Sequence, residues 1–231
     1  MVELNRIASH LIWLGTFSLD LGAITPFLYC FREREKILDL FEMVCGQRMT
    51  FNYMRVGGVS RDITPEFVPA AKEFVNYFLP RVDEYEDILT NNPIFLSRTK
   101  GVGLLDQKTA IDYGVTGPSL RGAGLKWDLR KDEPYSIYDR FKFEIPTGED
   151  SDVWDRYIVR IKEMRESAKI ALQALESLPE SPIKTKTPAV FKPPAGEVYL
   201  RIEAPRGEMG FYIVSDGSPK PYRVNPPPRR R

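Results

Sequence analysis

Two cysteines and one histidine are all that the 231-residue chain offers to thiolate, soft-metal or nucleophile–base chemistry. Cys30 and Cys45 stand too far apart for a CxxC redox or cluster motif, and two thiols build no disulfide framework. Such usage suits a reducing compartment and predicts two buried free thiols. With His10 alone, no HExxH and no thiolate cluster prepare a metal site, and no Ser-His-Asp arrangement is in view, so no metal is expected and His10 reads as a structural core histidine. No apolar run approaches the ~18–20 residues that cross a bilayer. The opening MVELNRIASHLIWLG lacks the basic region and cleavage site of an export signal. Excess charge of either sign is also missing: 33 basic residues face 32 acidic ones, a net of +1. No basic stripe alternates with stacking aromatics, so nucleic acid is not an expected partner. Neither KGVGLL nor DYGVTGPSLRGAG fits a dinucleotide or phosphate-loop pattern, and their glycines read as tight turns between packed helices.

What is present is 42% apolar and 28% charged, enough for a sizeable core. The fold expected is mainly α with a small β-hairpin near the C-terminus. Leu4, Ile7, Leu11 and Leu14 recur at helical spacing, with Glu3 and Arg6 facing outward, and predict a helix from about Leu4 to Leu21. A second helix is read with Thr25 as cap and Pro26 at its first position, ending at Gly46; its charges from Arg32 to Lys36 read as a solvated face or a packed seam. Thr64-Pro65 repeats the cap-plus-proline start for a third helix, which Pro80 is expected to bend or divide. Asn92-Pro93 and Asp106 look like further helix starts. The clearest helix spans about Asp152 to Leu178. There Val153, Tyr157, Ile161, Met164, Ala168, Leu172 and Leu175 form the packed stripe, and Arg160, Glu163 and Glu166 belong to the opposite surface.

Prolines at 179, 182, 188, 193 and 194 then break regular structure. The organisation expected is a helical core over 1–178, a proline-rich linker or strap over 179–195, a hairpin over 196–223 with strands near Val198–Glu203 and Gly210–Ser215, and a flexible tail over 224–231. Three residues stand out as candidate interface or internal salt-bridge groups, Arg121 in SLRGAG and Trp127 and Arg130 in WDLRK, because planar cations beside turns give directed hydrogen bonds. Asp20 sits in the locally apolar LDLGAI. If buried, it requires a cation, a hydrogen-bond donor or a proton.

Longer strings are more specific. MVELNRIASHLIWLGT, LDLGAITPFLYCFREREKILDLFE, GQRMTFNYMRVGGV, NPIFLSRTKGVG, TGPSLRGAGLKWDLRK, RYIVRIKEMRESAKIALQALE and GEVYLRIEAPRGEMGFYIVSDG follow one another in order from the first residue to about Arg223. Together they resemble the D-subunit family of bacterial respiratory NADH-quinone oxidoreductase, complex I. The resemblance implies a helical fold like that of the nickel-iron hydrogenase large subunit, without its metal-binding cysteines; neither a front CxxC nor a terminal DPCxxC-like segment occurs here. It implies a component of a multisubunit translocase. That component helps form the quinone-reduction cavity in the peripheral arm and couples electron transfer from NADH to proton translocation.

By the same resemblance Asp20 is the catalytic candidate, a charge or proton relay coupled to quinone. No cofactor is bound directly: quinone is the substrate, and flavin and iron-sulfur clusters lie in partner subunits. The implied partners are the neighbouring iron-sulfur subunit, other peripheral-arm subunits and the membrane arm, on the cytoplasmic side of the cell membrane. The family's headgroup-binding His and Tyr have no counterpart here, and His10 does not replace that histidine. The chain reads as a shortened form, without the front, an internal helical stretch before PPAGEVY and the closing segment. It is expected to be inactive in isolation. The alternatives are a noncatalytic assembly or interaction fragment, or a related hydrogenase-type electron-transfer subunit.

Overall fold

The computed structural model describes residues 1–226. Among them, helices α1 (Val2–Asp20), α2 (Thr25–Cys45), α3 (Phe67–Leu89) and α8 (Val153–Glu176) form the body. The shorter α4 (Pro93–Thr99), α5 (Gln107–Asp112), α6 (Gly117–Gly122) and α7 (Leu129–Asp132) wrap its flank. One layer of apolar side chains joins the long helices. Ile7, Leu11 and Leu14 of α1 meet Ile37, Phe41 and Val44 of α2, Val75, Phe78 and Val82 of α3, and Tyr157, Ile161, Met164 and Ala168 of α8. The described residues are mainly α with two small antiparallel sheets. No helix among the described residues is long and apolar enough to cross a membrane.

Local chemistry sets most boundaries. The side chains of Asn92, Asp106 and Asp152 each accept backbone N–H groups at the starts of α4, α5 and α8, as their positions predict. Gly46 ends α2 in the left-handed conformation, φ +73°. Elsewhere the expected starts are displaced. Ile24 rather than Thr25 precedes α2, and Thr25 is already helical. Glu66 rather than Thr64 precedes α3, because Thr64 instead closes a turn with the Phe67 amide. Pro80 does not divide α3, which runs unbroken through it; burial of Val75, Phe78, Val82 and Tyr85 on either side outweighs the missing N–H. The charged run on α2 is not wholly solvated either. Glu33 is fully buried and accepts hydrogen bonds from the hydroxyls of Tyr77 (2.8 Å) and Tyr85 (2.7 Å) and from Arg32 Nε (2.6 Å). Of the two thiols, Cys30 is buried and Cys45 only half-buried.

The proline-rich stretch behaves as a strap. It pairs through Ile183–Thr185 with the small hairpin of β1 (Met54–Arg55) and β2 (Gly58–Val59). Beyond it, β3 (Gly196–Ala204) and β4 (Gly207–Ser215) pair in register from Gly196 with Ser215 to Ala204 with Gly207. A third strand, β5 (Arg223–Asn225), adds to β4 where a tail is expected from residue 224. The remainder of that expected tail, 227–231, lies outside the described residues. A lone hairpin is marginal in water, and this one takes cover from the helices at its turn. There Gly117 (φ +66°) and Gly207 (φ +127°) meet so closely that a Cβ on Gly117 would lie 2.3 Å from the Gly207 Cα. The turn of the hairpin is thereby pressed against α6, while Val198, Tyr199 and Leu200 at the far end stay exposed.

Candidate functional site

Under the hairpin turn, charged side chains from five elements converge where a core would ordinarily be apolar. Spacing of three and four on α1 puts Glu3, Arg6 and His10 in one line. Opposite them stand Glu163 from α8, Arg121 from α6, Asp128 and Arg130 at the start of α7, and Glu203 from β3, all nearly or fully buried. Arg130 closes back on Asp128 (2.7 Å) and reaches Glu3 (3.1 Å). Tyr138 donates its hydroxyl proton to Glu3 at 2.5 Å, and Arg6 donates to the Glu203 carbonyl at 2.7 Å. Arg121 is the hub: it donates to Glu163 (2.7 Å), to Glu203 (3.0 Å) and to the Trp127 carbonyl (2.9 Å). His10 Nε2 completes the chain, 2.9 Å from Glu163.

Opposite charges face one another across the elements. Burial alone would raise the Glu3 carboxyl, but Arg6, Arg130 and Tyr138 overcome it and hold it down to about 2. Burial also opposes ionisation of Glu163, and Arg121 and His10 hold it well below the usual carboxylate range. Glu203 is the exception, because burial, reinforced by Asp128, keeps its carboxyl raised in spite of Arg121. Burial lowers His10 more than Glu163 raises it. Its imidazole is therefore neutral and donates Nε2–H to the Glu163 carboxylate. With His10 uncharged, the carboxylates of Glu3, Asp128 and Glu163 and the Glu203 carboxyl face the guanidinium groups of Arg6, Arg121 and Arg130.

Above this network lies an open groove of about 930 Å³. Its walls are Ser9 and Trp13 of α1, the 48–51 segment after α2, and the Pro205–Gly207 turn, with His10 at its inner end. Arg160 projects into it. That guanidinium lies 4.7 Å over the Trp13 ring and donates to the Arg156 carbonyl (2.6 Å) and the Ser119 hydroxyl (3.2 Å). Loss of water pushes Arg160 down to about 10 against the pull of Glu163, and the positive charges of Arg121, Arg156 and Arg206 act in the same direction as burial. A concave surface with aromatic walls and a few convergent polar groups is the ordinary form of a ligand or partner site.

The residues singled out in the sequence do not all gather here. Asp20 ends α1, one helical turn beyond Thr16 on the groove wall, and is exposed rather than buried. No described residue forms an ion pair or hydrogen bond with its carboxylate, and exposed Leu19, Ile24 and Leu28 belong to the same end of the α1–α2 pair. Arg121 and Arg130 are buried and direct their guanidinium groups into the network, the internal salt-bridge option of their reading. Trp127 is half-buried against the Leu120 cluster and supplies its carbonyl to Arg121. His10 is a core histidine. Glu3, Arg6, Glu163 and Glu203 are not legible as site residues in the sequence: spacing puts the first three on solvated faces, and only the three-residue step between Glu3 and Arg6 hints at a pair.

The sequence matches the family described as the respiratory-chain NADH dehydrogenase 49 Kd subunit, over residues 20–194 and 185–227. It is similar to NADH-quinone oxidoreductase D-subunit 2 of Solibacter usitatus, 54% identical over 97% of this chain and 60% of the relative. Similarity extends to the NADH-quinone oxidoreductase D-subunits of Dehalococcoides mccartyi (56% identity, 97% of this chain, 62% of the relative) and of Clostridium beijerinckii (54%, 97%, 61%). The chain thus spans about 60% of the length of the curated relatives it matches. Matches that run through nearly all of this chain, from the α1 end carrying Asp20 to the hairpin, place it in the family of the respiratory-chain NADH dehydrogenase 49 Kd subunit.

Proposed function

We propose that the chain acts as a component of NADH-quinone oxidoreductase that helps form the quinone-reduction cavity of the peripheral arm and couples electron transfer from NADH to proton translocation. The observation that carries this reading is identity of 54–56% to D-subunit proteins over 97% of the chain. In this role the chain binds no redox group itself; flavin and iron-sulfur clusters belong to partner subunits. Its partners are the neighbouring iron-sulfur subunit, other peripheral-arm subunits and the membrane arm, and it sits peripherally on the cytoplasmic side of the cell membrane.

Asp20 is the proposed relay. Its carboxylate stands at the C-terminal, negative end of the α1 dipole with no described counter-charge. Once a partner and a quinone exclude water from that end, the carboxylate requires a cation or a proton. Reduction of a quinone by two electrons consumes two protons, so a carboxylate beside the headgroup responds to the change by charge and by proton movement. The contribution is placement and electrostatics, not covalent catalysis.

The test is to replace the resident D-subunit with this chain in membranes and to follow NADH oxidation with quinone and with a hydrophilic acceptor that draws electrons upstream of quinone. Asp20→Asn is expected to lower the quinone-dependent rate about a hundredfold while sparing the other. Equal rates for variant and parent would overturn the relay. The alternative is a noncatalytic assembly or interaction fragment. It predicts that the parent chain enters the complex yet supports no quinone reduction.

A further inference from the structure

The groove between α1, the 48–51 segment and the hairpin turn is unequally charged. Arg34, Arg48, Arg160 and Arg206 line it, against one carboxylate, Glu208. That carboxylate is already engaged, accepting from Arg201 (3.2 Å) and from the Tyr199 hydroxyl (2.9 Å). Arg48 is likewise answered within the chain, by Glu35 and Asp39. Arg160 and Arg206 are not. No described carboxylate lies within ion-pair distance of either; Glu163 acts on Arg160 only from beyond that distance, and arginines from α6, α8 and the hairpin turn oppose it. Beside these cations the walls are apolar: Trp13, Phe41 and Phe51 inside, with Met49 60% exposed at the rim.

A half-buried guanidinium with no anion is costly, and proteins pair such groups. Here the pairing anion has to come from outside the described chain. A small free anion would neutralise Arg160 but leave Trp13, Phe51 and Met49 wet. An acidic side chain carried on an apolar segment answers both features.

We propose that this groove is the docking site of a partner protein, which inserts an Asp or Glu carboxylate beside Arg160 and lays apolar side chains against Trp13, Met49 and Phe51. The inference rests on the family reading only in that it expects other subunits around this chain. Arg206 at the mouth steers the acidic segment inward, and Arg160 holds it.

The experiment places the photo-reactive residue p-benzoylphenylalanine at position 49 of the chain, lets it enter whatever complex it joins in cells, and sequences the cross-linked peptides. The expected product joins position 49 to one partner polypeptide, within a few residues of an Asp or Glu. Arg160→Gln should reduce its yield about tenfold or more. Arg206→Glu, at an exposed position, should reduce it several-fold at low salt and less at high salt. A cross-link to a second copy of this chain, to a peptide without nearby acid, or with a yield that Arg206→Glu leaves unchanged would overturn the proposal, as would no cross-link in an assembled complex. Co-purification with NADH-oxidising activity is scored separately. Its loss refutes the proposed function, whereas the cross-link decides the groove.

Discussion

Removing one buried guanidinium should expose how much of this fold depends on charge pairing. Arg121→Met keeps most of the side-chain volume but takes away the donor to Glu163 at 2.7 Å and to Glu203 at 3.0 Å, together with the Trp127 carbonyl contact. Two carboxylates then remain in a region from which water is excluded, with His10 and the Leu129 amide as their nearest remaining donors. Breaking a buried pair in this way costs about 3–5 kcal/mol, a large part of the ~5–15 kcal/mol that holds a domain together. For a chain of this size the midpoint of thermal unfolding should fall by roughly 6–20 °C.

Urea unfolding at pH 7 measures the loss directly, and a cycle with Glu163→Gln separates the pair from its surroundings. Because Glu163 is held below its ordinary value of 4.5, its stabilising contribution is present above that pH and disappears as the pH falls through the lower folded value. The gap between parent and Arg121→Met should therefore narrow as the solution is acidified below about pH 4.5. A loss under about 1 kcal/mol at pH 7, or a gap that widens in acid, would refute the view that Arg121 is the hub.

Other outcomes follow from single residues. Glu3, held down to about 2 from 4.5, should contribute about 3 kcal/mol that is full above pH 4.5 and fades as the pH drops toward 2; Glu3→Gln should flatten that part of the acid-unfolding curve. Gly117→Ala should cost at least about 2 kcal/mol by denaturant titration. Gly101→Ala, which has a similar φ of +67° but open space for a Cβ, should cost only about 1 kcal/mol. In a thiol-titration assay Cys45 should react in the folded protein and Cys30 only after denaturation, because burial, with Glu33 beside it, pushes the Cys30 thiol up; two thiols reacting at one rate would contradict this.

The long helices are legible because their apolar residues repeat at a period that burial enforces. Tyr157, Ile161, Met164 and Ala168 form the stripe that spacing predicts, and all four are buried. Helix starts are legible where a side chain caps, as at Asn92, Asp106 and Asp152, and misplaced where only Thr-Pro suggests a cap, as at Thr25 and Thr64. At Pro80 the sequence displays only the local cost, which the packing of α3 outweighs. The charged interior is hidden for a different reason. A Glu on a helix is solvated in almost every context, and periodicity carries no sign that Glu163 meets Arg121 and His10 from other elements.

Sequence by itself thus determined the helical class, the hairpin and, through long matching strings, the family, since these depend on local spacing and on residue order. Tertiary structure alone decided that Glu3, Arg6, Glu163 and Glu203 go inside, that Asp20 stays outside, and that Arg160 faces a groove without an anion. The physical reason is that burying a charge is decided by its partners, and these partners come from chain positions as distant as Arg121 and Glu203, brought together only when the hairpin turn closes on α6.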